Sequence, residues 1–372
     1  MKLSFLKTNS VIGPVKPFEC KLSEVKKLKL CKNVCVDSAL DQLVTKIDNY
    51  HKTIKIKPSK SVAESVLNIF YNKEIGLGDK QLVLKYQKQF LSQISYFVDK
   101  DEQIQFCILG LPHKMPNSLL TIEKEAGGTE VAMLLRFKFI LEQINLVYPK
   151  GAVINFFVEN KIFSYLADLS IEETDKYVLS VQKLINKLGL EKKIILKDLL
   201  KCEKLFPTFT TTYLKNVEYY KYHDLEDVQK ARLNFFFTTN NVSISEKLSL
   251  KVFDPELDLD KTEPIVKYYK ISFWEKTLPL AIQYLAYNKT RKDLGVMAKI
   301  APYNIKLTVA PKPGSIGIRL INSRTDLLPY YGYLVFTGET YEVKYLVDIA
   351  AKSQNYLAIA DKNDKIWYLV KK

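Results

Sequence analysis

The chain has 372 residues, a formal net charge of +15 and an apolar share of 47%. That apolar share supplies a core and excludes an intrinsically disordered chain, while the length fits one large domain or two ordinary ones. No apolar run reaches the length of a membrane span, and the start Met1-Lys-Leu-Ser-Phe-Leu-Lys7 lacks the apolar stretch of a secretory signal, so a cytoplasmic protein is expected.

The charge by itself invites a nucleic-acid partner, and the residue types argue against one. Only five of the 56 basic residues are arginine (136, 232, 291, 319 and 324), and the lysines are spread over every segment, often beside Asp or Glu. A phosphate-binding stripe would be clustered and richer in arginine. In a chain that uses lysine so freely, each arginine is expected where a planar, two-pronged donor is needed. The cysteines (20, 31, 35, 107 and 202) are odd in number and offer no second pair or nearby histidine to complete a zinc site, which suits free thiols in a reducing compartment.

In chain order, the first hundred residues read as helical. Ala39, Leu40, Leu43, Val44 and Ile47 have helical spacing, and Lys60–Tyr71 and Gln81–Phe97 repeat the pattern, with Pro58 and Gly76-Leu-Gly78 as breakers. Gln105–Leu109 reads as a buried strand that delivers the loop Leu111-Pro-His-Lys-Met-Pro-Asn117. A helix is predicted over Thr129–Val147, then a turn at Tyr148-Pro-Lys-Gly151 and a continuous apolar strand over Ala152–Val158. Ser170-Ile-Glu-Glu173 has the form of a capping box, and its helix should end at Gly189. Lys193–Lys197 is the next strand, Asp224–Phe237 begins as helix, Val242–Phe253 alternates weakly, and Leu278–Leu294 reads as a helix with Pro279 in its first turn. From 301 onward strands dominate. Asn304–Val309 and Ile316–Ile321 flank a hairpin-like Pro311-Lys-Pro-Gly314, and Tyr333–Phe336, Tyr341–Val347, Tyr356–Ala360 and Ile366–Val370 follow.

This order predicts an α/β fold with a mostly parallel sheet flanked by helices, a helical N-terminal region and a β-rich C-terminal appendage. The expected divisions are 1–100, 101–336 and 337–372.

Three short signals stand in fixed order between 111 and 163: the Lys114 loop, Tyr148-Pro-Lys-Gly-Ala152 and Val158-Glu-Asn-Lys-Ile-Phe163. A cationic loop beside a strand end is how a chain builds a pocket for a small anion. Here the sequence resembles the pyoverdine/dityrosine biosynthesis family, the isocyanide (isonitrile) synthases. Lys114, Pro116, Asn117, Glu130, Tyr148, Gly151, Ala152 and Phe163 match the family's pattern, and Lys306-Leu-Thr-Val-Ala310, Gly317-Ile-Arg-Leu320 and Pro329-Tyr-Tyr-Gly332 resemble its later motifs. The departures are Gly127 for an aspartate, Val158-Glu159-Asn160 for Ser-Asp-Gly, and Ala310 and Tyr331 for two histidines.

The resemblance implies a condensation, without metal or cofactor, of the amino group of tyrosine or tryptophan with the C2 carbonyl of ribulose 5-phosphate. The sugar carbon becomes the isocyanide carbon, and a downstream Fe(II)/2-oxoglutarate oxygenase is an expected partner. It further implies Lys114, Arg232, Arg291 and Lys306 as cations for phosphate and carboxylate, and Asn117 as a partner for a sugar hydroxyl or for Lys114. Glu130 and Tyr331 are the expected proton carriers. A diverged relative with altered or lost catalysis that binds a phosphorylated or amino-acid ligand is the second reading, and a basic nucleic-acid module the third. Gly76-Leu-Gly78 lacks the third glycine of a phosphate loop, and three scattered histidines form neither a metal cluster nor a catalytic triad.

Overall fold

A computed structural model describes residues 33–78, 84–110, 114, 121, 123–159, 164, 170–199, 201, 206–238, 264–309, 313–325, 327–350 and 352–372. Two sheets carry the molecule. The first five-stranded sheet has the order β4-β3-β2-β5-β6, built from β2 (Ile104–Gly110), β3 (Ala152–Val158), β4 (Ile194–Asp198), β5 (Ile305–Thr308) and β6 (Ile316–Gly317), and every neighbouring pair is parallel. The second has the order β1-β9-β10-β7-β8, from β1 (Asn33–Cys35), β7 (Tyr333–Thr337), β8 (Thr340–Lys344), β9 (Tyr356–Ala360) and β10 (Ile366–Lys371). In it the β9–β10 and β7–β8 pairs are antiparallel, and the β1–β9 and β10–β7 pairs are parallel. The α/β expectation holds.

The helices follow from the apolar spacing. They are α1 (Ala39–Lys52), α2 (Val62–Tyr71), α3 (Gln87–Asp99), α4 (Gly128–Val147), α5 (Ile171–Lys187), α6 (Phe209–Tyr222), α7 (Leu225–Thr238), α8 (Pro264–Asp293), α9 (Val296–Ile300) and α10 (Leu346–Ala350). All seven residues of β3 are buried. The strand is apolar except for Asn155, whose amide donates to the Gln105 side chain at 2.9 Å, because both faces of its sheet are covered. Phe106, Ile108, Ile154 and Phe156 turn to one side, into a core shared with α1 to α5 and the second sheet. Cys107 and Phe157 turn to the other side, against α6, α7 and α8.

At the centre lies α4, which is apolar almost all round because helices and both sheets surround it. Its first residue has to be glycine: a Cβ on Gly128 would lie 1.7 Å from the Trp367 carbonyl oxygen of β10. Midway along it Arg136 is completely buried and donates from Nε and Nη2 to the Ile321 carbonyl at 2.8 and 2.6 Å. That is the two-pronged use expected of a scarce arginine. Ser170 caps α5 by accepting from the Glu173 amide at 3.0 Å, and Gly189 follows the helix with φ +65°. The Glu173 side chain pairs with Lys124 at 2.5 Å, where a reach back to the cap was expected.

Four further expectations are corrected. Strands β5 and β6 pair in parallel, so Pro311-Lys-Pro-Gly314 is not a hairpin turn; its prolines cannot donate to an antiparallel ladder. Helix α8 begins at Pro264, which leaves Pro279 inside it, where no amide is available for the Glu275 carbonyl. Residues 346 and 347, expected to end a strand, instead open α10. The division expected between 336 and 337 falls within the last residues of β7 and ahead of its hairpin partner β8. The weakly alternating Val242–Phe253 lies outside the described residues.

A buried histidine ties the two sheets' helical partners together. His51, 3% exposed, stacks on Phe139 of α4 at 5.0 Å, and the Tyr341 hydroxyl of β8 stands 3.5 Å from its Nε2. Burial, then the charges of Arg136 and Lys138, lowers its pKa from 6.5 to about 3. In this range the unfolded chain takes up a proton that the folded chain refuses. Stability from this source is therefore complete above pH 6.5 and lost as pH falls toward about 3. Urea unfolding of the native protein should lose about 1.4 kcal/mol per pH unit more than His51→Gln across that window. Parallel pH profiles for the two proteins would show that the imidazole is not buried in solution.

Candidate active site

In an open parallel sheet the carboxyl ends of the strands point toward a common crevice. Two of the described polar groups beyond those ends are Lys114, four residues past β2, and Glu159, the residue that follows β3. Each is half of a shielded ion pair.

The first pair is Lys114 Nζ with Glu130 Oε1, 2.7 Å apart, with side chains 4% and 0% exposed. Glu130 sits in the first turn of α4, where its Oε2 accepts from the Gly127 amide at 2.8 Å and from the Thr129 hydroxyl at 3.1 Å. The Tyr177 hydroxyl of α5 donates to Oε1 at 3.1 Å. Four donors therefore converge on two carboxylate oxygens, which is all that a carboxylate can accept. Lys114 also donates to Thr129 Oγ1 at 3.2 Å and to the Pro329 carbonyl at 3.3 Å. Its three protons thus reach from the loop after β2 to α4 and to the 3-10 turn Pro329–Tyr331.

The second pair is Arg291 Nη1 with Glu159 Oε1 at 2.9 Å, the side chains 10% and 13% exposed. Arg291 Nη2 also donates to Asn288 Oδ1, and its guanidinium lies over the Tyr287 ring at 4.4 Å. Tyr284, Tyr287, Asn288 and Arg291 are spaced i, i+3, i+4, i+7, which places them on one stripe of α8.

The first pair reaches the 3-10 turn through Lys114. Burial first, then the charges of Tyr331, Glu159 and Tyr284, pushes the Tyr330 phenol well above its ordinary range. Burial, then Glu130 and Tyr330, does the same to Tyr177. Burial also raises the Tyr331 phenol, with Tyr345 and Tyr284 adding to it. At neutral pH these phenols keep their protons and act as donors.

Of the residues predicted from sequence, Lys114 and Glu130 pair with each other, Lys114 reaches the turn that carries Tyr331, and Arg291 pairs with Glu159 at the end of β3. Lys306 sits on β5 as the register partner of Cys107, half-buried. There it offsets, with Lys197, the burial that pushes the Cys107 thiol up to about 11. Arg232 is half-buried on α7. Asn117 lies outside the described residues. Among the described residues no group of three or more His, Cys, Asp or Glu stands ready to hold a metal ion.

Sequence reasoning missed Tyr177, Glu159, Tyr284, Asn288 and Tyr330 as site groups. Two signals were available: the α8 stripe, and a lone carboxylate at the end of the unbroken apolar run Ala152–Val158.

Removing one partner of a sealed ion pair leaves an uncompensated charge. Lys114→Met and Glu130→Gln should each lower unfolding stability by about 3–5 kcal/mol. The double variant should fall short of the sum by an interaction energy on the order of 1–3 kcal/mol. Strict additivity in a denaturant cycle would mean that the two groups do not pair.

Residues 94–253 match the model of the family described as pyoverdine/dityrosine biosynthesis protein. The match takes in Lys114, Glu130 and Glu159 and ends before Arg291, Lys306 and Tyr331. The chain is 23% identical over 140 residues to the L-tryptophan isonitrile synthase AmbI2 of Fischerella ambigua, an alignment covering 36% of this chain and 42% of that protein. It is 25% identical over 101 residues to AmbI1 of the same organism, covering 27% of this chain and 32% of that one. The chain thus spans less than half the length of the curated relatives it matches. The PvcA protein of Pseudomonas aeruginosa shares the fold, with a TM-score of 0.63 and 15% identity over 84% of this chain and all of that one. Residues 94–253 thus resemble the pyoverdine/dityrosine biosynthesis family, two tryptophan isonitrile synthases are similar over part of their length, and the chain shares the fold of PvcA.

Proposed function

We propose that the protein is an isonitrile synthase-type enzyme that condenses the amino group of tyrosine or tryptophan with the C2 carbonyl of ribulose 5-phosphate. The observation that supports it best is the shielded Lys114–Glu130 pair beyond the carboxyl end of β2, tied by Lys114 to the tyrosine turn Pro329–Tyr331. Condensation of an amine with a ketone releases water and needs a proton donor at the carbonyl oxygen. The protonated phenols of Tyr330 and Tyr331 fill that role. Glu130, with both oxygens occupied, acts through Lys114 as a positioning residue that holds the turn in place. Lys114 and Arg291 set a positive field for anionic substrates, and Lys306 adds to it from β5. Arg232 and Asn117 take supporting places in substrate binding, and the product suits a later Fe(II)/2-oxoglutarate oxygenase.

A second reading is a diverged relative that keeps the pocket and has altered or lost catalysis. It draws on Ala310 and Tyr331 at positions where the family carries histidine, and on the sealing of Glu130 away from solvent.

Purified protein given L-tyrosine or L-tryptophan with ribulose 5-phosphate should yield an isonitrile by mass spectrometry. Absence of product with every aromatic amino acid would favour the second reading. Turnover gained by the double variant Ala310→His, Tyr331→His would then decide for it.

A further inference from the structure

The peptide joining Ala126 to Gly127 is held by a charge at each end. Its carbonyl oxygen accepts from Lys365 Nζ at 2.7 Å, and its N–H donates to Glu130 Oε2 at 2.8 Å. Ala126 is wholly buried, and its own amide donates to Ser180 Oγ at 2.7 Å, which fixes the residue from a third side. Lys365 reaches this carbonyl from the second sheet, out of the turn between β9 and β10. In that turn Asp361 Oδ1 accepts from the Asn363 and Lys365 amides at 2.8 and 3.2 Å, and its Oδ2 accepts from the Trp367 indole at 3.1 Å. The Lys365 ammonium lies over the Trp367 ring at 4.7 Å, and the Trp367 carbonyl is the group that leaves no room for a Cβ on Gly128. The turn is thus seated on the start of α4 with its cation aimed at one carbonyl.

Any neutral donor would satisfy a buried carbonyl, so a half-buried ammonium there does more than fill a vacancy. Resonance along the peptide couples its two ends: drawing electrons toward the oxygen leaves the N–H more positive. Hydrogen bonds arranged in a chain strengthen one another, and charged partners strengthen each bond further. Cation, peptide and carboxylate therefore form a relay in which Lys365 tightens the Gly127 bond to Glu130.

We infer that Lys365 is a positioning residue of the candidate site, acting on the Glu130 carboxylate through the Ala126–Gly127 peptide. Glu130 passes the constraint to Lys114, and Lys114 passes it to the Pro329 carbonyl of the tyrosine turn. The relay stands on these contacts alone, and its bearing on turnover rests on the isonitrile-synthase reading.

The dipeptide Ala-Gly occurs once in the chain. Labelling the alanine carbonyls with heavy carbon and the glycine amides with heavy nitrogen therefore isolates this peptide in the magnetic resonance spectrum of the full chain. In the native protein the Gly127 amide proton and the Ala126 carbonyl carbon should both lie downfield, each being in a charge-assisted bond. Lys365→Met keeps an apolar stem on Trp367 and removes the charge, and it should move both signals upfield together. Lys365→Arg should restore both. A lysine that merely braced the β9–β10 turn would leave the Gly127 proton where it was. Circular dichroism controls for folding of the variants, and the native spectrum needs no variant. In turnover, Lys365→Met should lower kcat for isonitrile formation by about 10-fold, the effect of weakening one charge-assisted hydrogen bond, with both KM values unchanged because Lys365 touches no substrate.

The relay is overturned if the Gly127 proton stays in place while the Ala126 carbon moves, if neither signal moves, or if the native signals lie where unbonded peptides do. Turnover by Lys365→Met at the native kcat would overturn the positioning role even with both signals shifted. A native protein that forms no isonitrile yet shows the paired shift would sink the synthase reading alone and leave the relay standing.

Discussion

A carboxylate with no exposure can stay ionised inside a protein only if its surroundings replace the water it has lost. Around Glu130 that replacement comes from four different places: the Gly127 amide, the Thr129 hydroxyl, Tyr177 on α5 and Lys114 on the loop after β2. Each donor belongs to a segment that the anion thereby fixes. Lys114 passes the constraint on to the Pro329 carbonyl and so to the turn that carries Tyr330 and Tyr331. Take the anion away, and a helix start, a neighbouring helix, a strand-end loop and a tyrosine turn lose their common reference point.

The division of labour between the two pairs follows from their seals. The Lys114–Glu130 pair has every site on its carboxylate filled and almost no exposure, which suits scaffolding. The Glu159–Arg291 pair keeps a margin of exposure, 13% and 10%, beside the residue that ends β3.

Much of the architecture was legible because it is periodic. Strand β3 was read over its full length, since an apolar run bounded by Gly151 and Glu159 has no helical alternative of that size. Helices α1, α2, α4 and α5 were legible from their spacing and from signals such as Ser170 and Gly189. What escaped was non-periodic or non-local. Strand β1 has only three residues and exists because β9 offers it an edge. The start of α8 was hidden because a proline was read as a boundary, although packing against α6 and α7 supports the helix through Pro279. In the site, Lys114, Glu130 and Arg291 were visible as motif residues or as scarce arginines. Their partners, among them Tyr177 and Glu159, lie about 47 and 132 residues away in the chain and carry no mark of the pairing. Lys306 shows the converse: a cation in a motif-like strand whose register sets it beside Cys107.

The order of the second sheet bears on how the chain folds. Strand β10 lies between β9 and β7, so the hairpin β7–β8 and the β1–β9 pair share no partner until residues 366–371 arrive. During synthesis the parallel sheet can assemble from segments made earlier, whereas the apolar face of α4 that Trp367 and its neighbours cover stays wet until then. For that interval a nascent chain exposes an apolar face of its central helix, and it is there that a ribosome-bound chaperone would find its grip.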